Sequence, residues 1–169
     1  MLTREKPLTD MNDSLRMDRV RRFIGTLNQA CELGLTVESA RQGELILRLP
    51  YSDFIVGNPD TGVIHGGAIT TLMDTASGSV IMCALDDFEL CPTLDLRVDY
   101  MRPAEPHRPV FARAETYKIT RNIIFTRCEA YQDTGETIAN CVGTFMRIGK
   151  EATPKAYRDL ITGAEDDQS

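Results

Sequence analysis

The stretch from His65 to about Leu85, HGGAITTLMDTASGSVIMCAL, constrains this chain more than any other. Small residues (Ala68, Ala76, Gly78, Ala84) are mixed there with Ile69, Leu72, Met73, Val80 and Ile81, so a helix over this span is apolar on most sides. Such a helix has to be buried. It also carries a carboxylate, Asp74, in its middle.

The flanking segments supply the cover. Before it, Leu35, Val37 and Ser39 alternate with polar residues, as do Leu45, Leu47 and Leu49, and Arg41-Gln42-Gly43 reads as a hairpin turn between two strands. Residues 50–62 read as a loop. After it, Thr93 to Tyr100 alternates strictly, prolines 103, 106 and 109 mark a break, and Val110–Thr120, Ile123–Tyr131 and Thr137–Ile148 read as three long strands. The last two are joined by a turn over residues 133–136. At the front, Leu15, Val20, Phe23, Ile24, Leu27 and Cys31 recur at helical spacing, with Asp13 or Ser14 to cap the start and Gly34 to suit the stop. Arg16, Arg19, Arg21 and Arg22 fall on the other, solvated face. Strands that follow helices rather than alternate with them imply an antiparallel α+β fold. One curved sheet wrapped around one central helix satisfies the pattern.

The 169 residues suffice for one domain. The expected division is a flexible N-terminus over 1–12, a domain over 13–149 that includes an N-terminal helix over 13–31, and a tail over 150–169. That tail carries a short helix around 156–161 and an acidic end. A formal net charge of −6 speaks against nucleic acid as a partner. No stretch approaches the roughly 18 apolar residues of a membrane span, and the first residues lack the apolar run of a signal peptide. A cytoplasmic protein is expected. The five cysteines are odd in number and none are spaced C-x-x-C, so neither a disulfide framework nor a zinc site is expected. With His65 and His107 the only histidines, a His-rich metal centre is not expected either.

Chemistry is concentrated around the start of the central helix. Unpaired backbone N–H groups and a partial positive charge gather at a helix start. Gly66 and Gly67 there make a backbone oxyanion hole, or else allow loop and helix to pack closely. Asp74 tips the balance toward catalysis. A carboxylate inside an apolar helix is costly unless it is partnered or functional. Its structural explanation is a neighbouring hydroxyl from Thr71, Thr75 or Ser77, and its functional one is a general base or nucleophile. Cys83 and Cys91 rank lower as nucleophiles, since no second histidine stands near either. Gly66 and Asp74 are eight residues apart, roughly 12 Å along one helix. One carbonyl cannot touch both. If both act on it, they come from two different helices, and the simplest arrangement is two copies related by a two-fold axis.

Taken together, Gly62-Val-Ile-His65-Gly66-Gly67, Asp74, the strand end Tyr100-Met101-Arg102-Pro103-Ala104 and the closing Gly135-Glu136-Thr-Ile-Ala139…Gly143-Thr144-Phe145 resemble the hotdog thioesterases of the phenylacetate-degradation type. The resemblance covers about Gly34 to Ile148. It implies hydrolysis of an acyl- or aryl-acyl-coenzyme A, with no cofactor, since coenzyme A is part of the substrate. It implies a catalytic set of Asp74 as base or nucleophile, Gly66 as oxyanion donor, His65 and Asn58 as positioning groups, and Thr93 as holder of the attacking water. Asn58 falls one residue further from His65 than is usual in the family, and Asp60 stands near the same place. Gly67, Tyr100, Arg102, Pro103, Lys118, Arg121 and Asn122 are implied as substrate and coenzyme A contacts along the outer strands. The implied assembly is a dimer or a dimer of dimers. An acyl-coenzyme A sensor without catalysis, or a hotdog hydratase, are the alternatives. A hydratase pairs a catalytic histidine with its acid, and the helix offers no second histidine.

Overall fold

The computed structural model describes residues 11–133 and 135–164. The expected loose N-terminus up to residue 10, the acidic end beyond residue 164 and Thr134 of the last hairpin turn lie outside them. Six antiparallel strands form one sheet: β1 (Thr36–Arg41), β2 (Glu44–Leu49), β5 (Thr93–Tyr100), β6 (Val110–Ile119), β7 (Ile123–Tyr131) and β8 (Thr137–Met146). Their spatial order is β1-β2-β6-β7-β8-β5, which leaves β1 and β5 as edges. The central helix is α3 (Gly66–Ser79), continued after Val80 by a single turn, α4 (Ile81–Ala84).

Helix and sheet share one core because their inward residues are apolar and small. Leu72, Met73 and Ala76 of α3 pack with Leu45, Leu47 and Leu49 of β2, Ala112 and Ala114 of β6, and Ala130 of β7. Alanines along β6 and β7 leave room for the helix to lie close, and larger leucines on β2 fill the gap beside it. This is the hotdog arrangement, an α+β fold. Register shifts in β1, β5 and β6, between Val37 and Ser39, Thr93 and Asp95, and Thr116 and Lys118, curl the sheet around the helix.

The details correct several sequence expectations. The shift in β1 moves Ala40, rather than Ser39, into the core. The front helix is broken in two: α1 (Asp13–Gly25) and α2 (Asn28–Glu32). Thr26 turns its hydroxyl back onto the Phe23 carbonyl at 2.7 Å and ends the first helix there. The cap is Asn12, not Asp13 or Ser14, and its Oδ1 accepts the Leu15 N–H at 2.9 Å. Arg16 and Arg19 are not merely solvated. Arg16 is buried and donates to the Cys83 carbonyl at 3.2 Å, while Arg19 donates to the Asp86 carbonyl at 2.9 Å. Two guanidiniums thus satisfy carbonyls at and just past the end of α4, where the helix dipole is negative. The 50–62 loop holds a 3-10 turn (Asp53–Ile55) and the strand β3 (Val56–Asn58), which pairs with β4 (Val63–Ile64). After β8 the chain forms α5 (Lys155–Thr162), whose Ile161 is fully buried and which packs against α1. No helix among the described residues is long and apolar enough to cross a membrane.

Candidate active site

The start of α3 is built by its own first residues. His65 is the N-cap, and its Nδ1 accepts the Gly67 N–H at 2.9 Å. That contact places the proton of a neutral imidazole on Nε2. A Cβ on Gly67 would sit 2.9 Å from His65 Nδ1, so a side chain there would force the imidazole to shift from its capping position. With Gly67 N–H capped from within, the Gly66 N–H has no partner among the described residues. The Gly66 carbonyl is held instead, by the Tyr100 hydroxyl at 2.6 Å and by the Thr70 hydroxyl at 3.2 Å. Tyr100, at the end of edge strand β5, therefore holds Gly66 from its carbonyl side, in the peptide next to the one that carries the free donor.

Two turns further along α3, Asp74 is half-buried and its Oδ1 accepts the Thr93 hydroxyl at 3.1 Å. None of the expected structural partners, Thr71, Thr75 or Ser77, is bonded to it. Thr71 bonds the Gly67 carbonyl and Ser77 faces Cys141. Asp74 Oδ2 makes no hydrogen bond among the described residues. The carboxylate is thus partnered by the residue implied as holder of the attacking water, across a sequence gap of 19 residues.

Asp74 and Thr93 open onto a cleft of about 850 Å³. Thr71, Asp74, Thr75, Gly78 and Met82 recur at helical spacing and form its floor. One wall is Phe23 and Leu27 with the start of α2. The other comes from residues 88–93, Leu96, Phe145 and Ile148. Polarity is graded along it. Hydroxyls and the carboxylate gather at Thr70, Thr71, Asp74, Thr75 and Thr93, while Phe23, Gly78, Ile81, Phe88, Leu90, Phe145 and Ile148 make an apolar end, beside which Glu89 is ion-paired with Arg147. Cys91 also lines the cleft, but burial, aided by Glu89, pushes its thiol up to about 12, and burial does the same to Cys83. Neither is a thiolate near neutrality.

The remaining expected residues are spread out. Asn58 stays on its loop: its Oδ1 accepts the Asp60 N–H at 3.0 Å, and it is exposed. Arg102 is ion-paired with Glu136 and lies 3.8 Å from Glu105. With Pro103 it stands past the Tyr100 end of β5. Lys118, Arg121 and Asn122 are exposed at the β6–β7 turn, next to the opposite end of the sheet, where Ile123 pairs with Met146 and Thr93 with Phe145. Arg102 and Arg121 thus do not meet within one chain. The sequence reading missed the cleft walls. Phe23 and Leu27 carry the period of an ordinary buried helix face, which hides their place beside Asp74. No group of three or more His, Cys, Asp or Glu side chains among the described residues is placed to hold a metal ion.

Comparison with known proteins gives the arrangement its relatives. The family model described as Thioesterase superfamily matches residues 61–139. A Pseudomonas aeruginosa protein of known crystal structure is 59% identical, with 79% of this chain and 99% of that one aligned at a TM-score of 0.73. The structure of PaaI, from the phenylacetic acid degradation operon of E. coli, aligns at a TM-score of 0.72 over 81% of this chain and 96% of its own, and at 18% identity it shares the fold. YigI of Salmonella typhimurium, a medium/long-chain acyl-CoA thioesterase, is 28% identical over 68% of this chain and 81% of its own length. A Halobacterium salinarum protein, a candidate esterase by its name, is 43% identical over 75 residues; the match spans 43% of this chain and 50% of that protein.

Proposed function

We propose that this chain, which belongs to the thioesterase superfamily, hydrolyses an acyl-coenzyme A to the free acid and coenzyme A at sites shared between two copies. The observation that carries the reading is the 3.1 Å contact between Thr93 Oγ1 and Asp74 Oδ1 at the polar end of a mostly apolar cleft. A thioester has the matching polarity: one polar carbonyl on an apolar acyl chain.

The chemistry follows from the groups in place. A water held by Thr93 gives a proton to Asp74 as its oxygen attacks the carbonyl carbon. The carbonyl oxygen becomes an oxyanion, which a backbone N–H aimed at it stabilises. When the tetrahedral intermediate collapses, the C–S bond breaks, and the thiolate of coenzyme A takes the proton back from Asp74. Gly66 N–H is the unpaired donor, yet it lies eight residues up the same helix, roughly 12 Å away.

Edge strand β5 supports a solution. Tyr100 at one end touches Gly66, and Thr93 at the other touches Asp74. Antiparallel pairing of two β5 strands about a two-fold axis at their middle would bring the Tyr100 end of one copy opposite the Thr93 end of the other. Gly66 of one copy would then serve Asp74 of its partner. The same pairing would bring Arg102 of one copy toward Arg121, Lys118 and Asn122 of the other, so both sets would flank one nucleotide. Leu94 and Tyr100, each about half exposed, and Met101 would be covered by the pairing. Unpaired cysteines suit a reducing compartment, and the reading places the enzyme in the cytoplasm.

The test is steady-state hydrolysis of a panel of short, medium, long and aromatic acyl-coenzyme A thioesters by the parent and by Asp74→Asn. The variant keeps the shape and loses the base, so kcat falls by about 10²–10⁴. Coenzyme A affinity and the circular dichroism spectrum stay as in the parent. Parent-rate hydrolysis by Asp74→Asn would make the carboxylate structural. Tight binding with no hydrolysis of any panel member by the parent would leave a sensor.

A further inference from the structure

Part of the apolar end of the cleft is lined by side chains from outside the sheet and central helix. Phe23, near the end of α1, and Phe88, in the loop after α4, meet with ring centroids 6.3 Å apart. Leu90 continues the same wall. All three are held by α5 and the residues just before it. The Tyr157 ring stands edge-on to both phenylalanines, 6.5 Å from Phe23 and 5.9 Å from Phe88. Its hydroxyl shares a 2.7 Å hydrogen bond with Thr26 Oγ1, at the break between α1 and α2. The buried Thr153 accepts the Leu90 N–H at 3.0 Å. Neither Thr153 nor Tyr157 lines the cleft itself.

Resting on the thioesterase reading, we infer that the α5 segment sets the depth of the acyl site, with Phe23 and Phe88 as the stop that the end of the acyl chain meets and Tyr157 as the positioning residue behind them. The end wall of an enclosed pocket decides chain length, because each methylene that fits or clashes changes the discrimination by roughly tenfold or more. A wall can discriminate only if it does not retreat, and close packing of a third ring against the first two prevents retreat. The substrate class also follows. Among the described residues the cleft lining holds no lysine, arginine or histidine, and the carboxylate of its Glu89 is already paired with Arg147. An acyl chain ending in a carboxylate would be desolvated there with no free cation to meet it. The site takes an unsubstituted hydrocarbon or aryl acyl group.

The experiment uses two readouts on the full chain. Calorimetric titration with non-hydrolysable S-alkyl thioethers of coenzyme A, of increasing length and with one ω-carboxyl member, gives binding without chemistry. Hydrolysis of the matching thioesters gives kcat and KM separately. The parent shows a length beyond which affinity drops, and it binds the ω-carboxyl member more weakly than its methyl-ended counterpart. Phe23→Ala moves that limit to longer chains, raising the preference for the first excluded length by roughly tenfold. Tyr157→Leu moves it the same way, chiefly through KM. Tyr157→Phe, which keeps the ring and loses the hydroxyl, retains the parent limit. If Tyr157→Leu does not fold, Phe23→Ala and Tyr157→Phe still report. Length profiles of Phe23→Ala and Tyr157→Leu that superimpose on the parent's would overturn the inference, as would preferred binding of the ω-carboxyl thioether. A parent that binds the thioethers with a length limit that Phe23→Ala moves, yet hydrolyses nothing, would sink the enzymatic reading and leave the wall intact.

Discussion

At the residue scale, the reactive groups separate by what surrounds them. Thr93 donates its proton to Asp74, so its lone pairs face the cleft and can receive a water. Thr93→Ala therefore loses orientation but not the base, and kcat falls by less than in Asp74→Asn. Thr93→Ser, which keeps the hydroxyl, recovers most of the rate. A loss in Thr93→Ala equal to that in Asp74→Asn would mean that the hydroxyl does more than orient. The cysteines make a second residue-scale case. Burial holds Cys83 and Cys91 at about 12, which leaves a thiolate fraction of about 10⁻⁴ at pH 8. Cys128 and Cys141 are buried opposite each other on β7 and β8. A disulfide reagent at pH 8 is expected to titrate Cys31 quickly in the folded chain and all five thiols after unfolding. Fast labelling of Cys91, read by mass spectrometry, would expose an activated thiol in the cleft. Asp74 and Gly66 were legible because a carboxylate and a pair of glycines are out of place in an apolar helix, and Thr93 through the family resemblance alone. The grip of Tyr100 on Gly66 was not, since it joins residues 34 positions apart and nothing in either segment marks the other.

At the element scale, the central helix explains both what was readable and what was not. Its composition announced burial. Its two faces do different work, and composition does not separate them: Leu72, Met73 and Ala76 point into the sheet, while Thr71, Asp74, Thr75 and Gly78 face the cleft. Leu72→Ala removes a fully buried side chain between helix and sheet, and stability is expected to fall by about 2–5 kcal/mol in denaturant unfolding. A loss well under that range would show a helix less tightly seated than its burial implies. Strands β5 to β8 were legible from alternation, and the hairpin of β1 and β2 from its Gly43 turn, where φ is +71°. The bulge in β1 was not, because an inserted residue breaks a period of two without leaving a composition of its own. The break between α1 and α2 was hidden for a related reason. Leu27 and Cys31 keep the helical period across it, and the Thr26 hydroxyl that ends α1 also bonds Tyr157, far along the chain.

At the scale of the whole molecule, the question is whether one chain can contain one site. The eight-residue separation of Gly66 and Asp74 was already in the sequence, and it argues for two copies. What the sequence lacked was the edge: β5 lies last in the sheet, with Thr93 and Tyr100 at its two ends facing Asp74 and Gly66. The shared site has a consequence that no site within one chain shares. Gly66→Pro removes the backbone donor, and proline suits the first position of a helix after an extended residue, here His65 at φ −64° and ψ 132°. Its Cβ would lie 3.2 Å from the end of the Tyr100 side chain, which can yield by a few tenths of an ångström. Gly66→Pro alone and Asp74→Asn alone are both expected to be nearly inactive. When equal amounts are unfolded together and refolded, half the dimers pair one of each. In those, one site carries both lesions and the other carries neither. The mixture is therefore expected to regain about a quarter of the parent kcat, with sedimentation showing dimers or larger assemblies of them. A mixture as inactive as its components would place Gly66 and Asp74 of the same chain at one carbonyl, or a monomer in solution at micromolar concentration would remove the partner altogether. Either result defeats the shared-site mechanism.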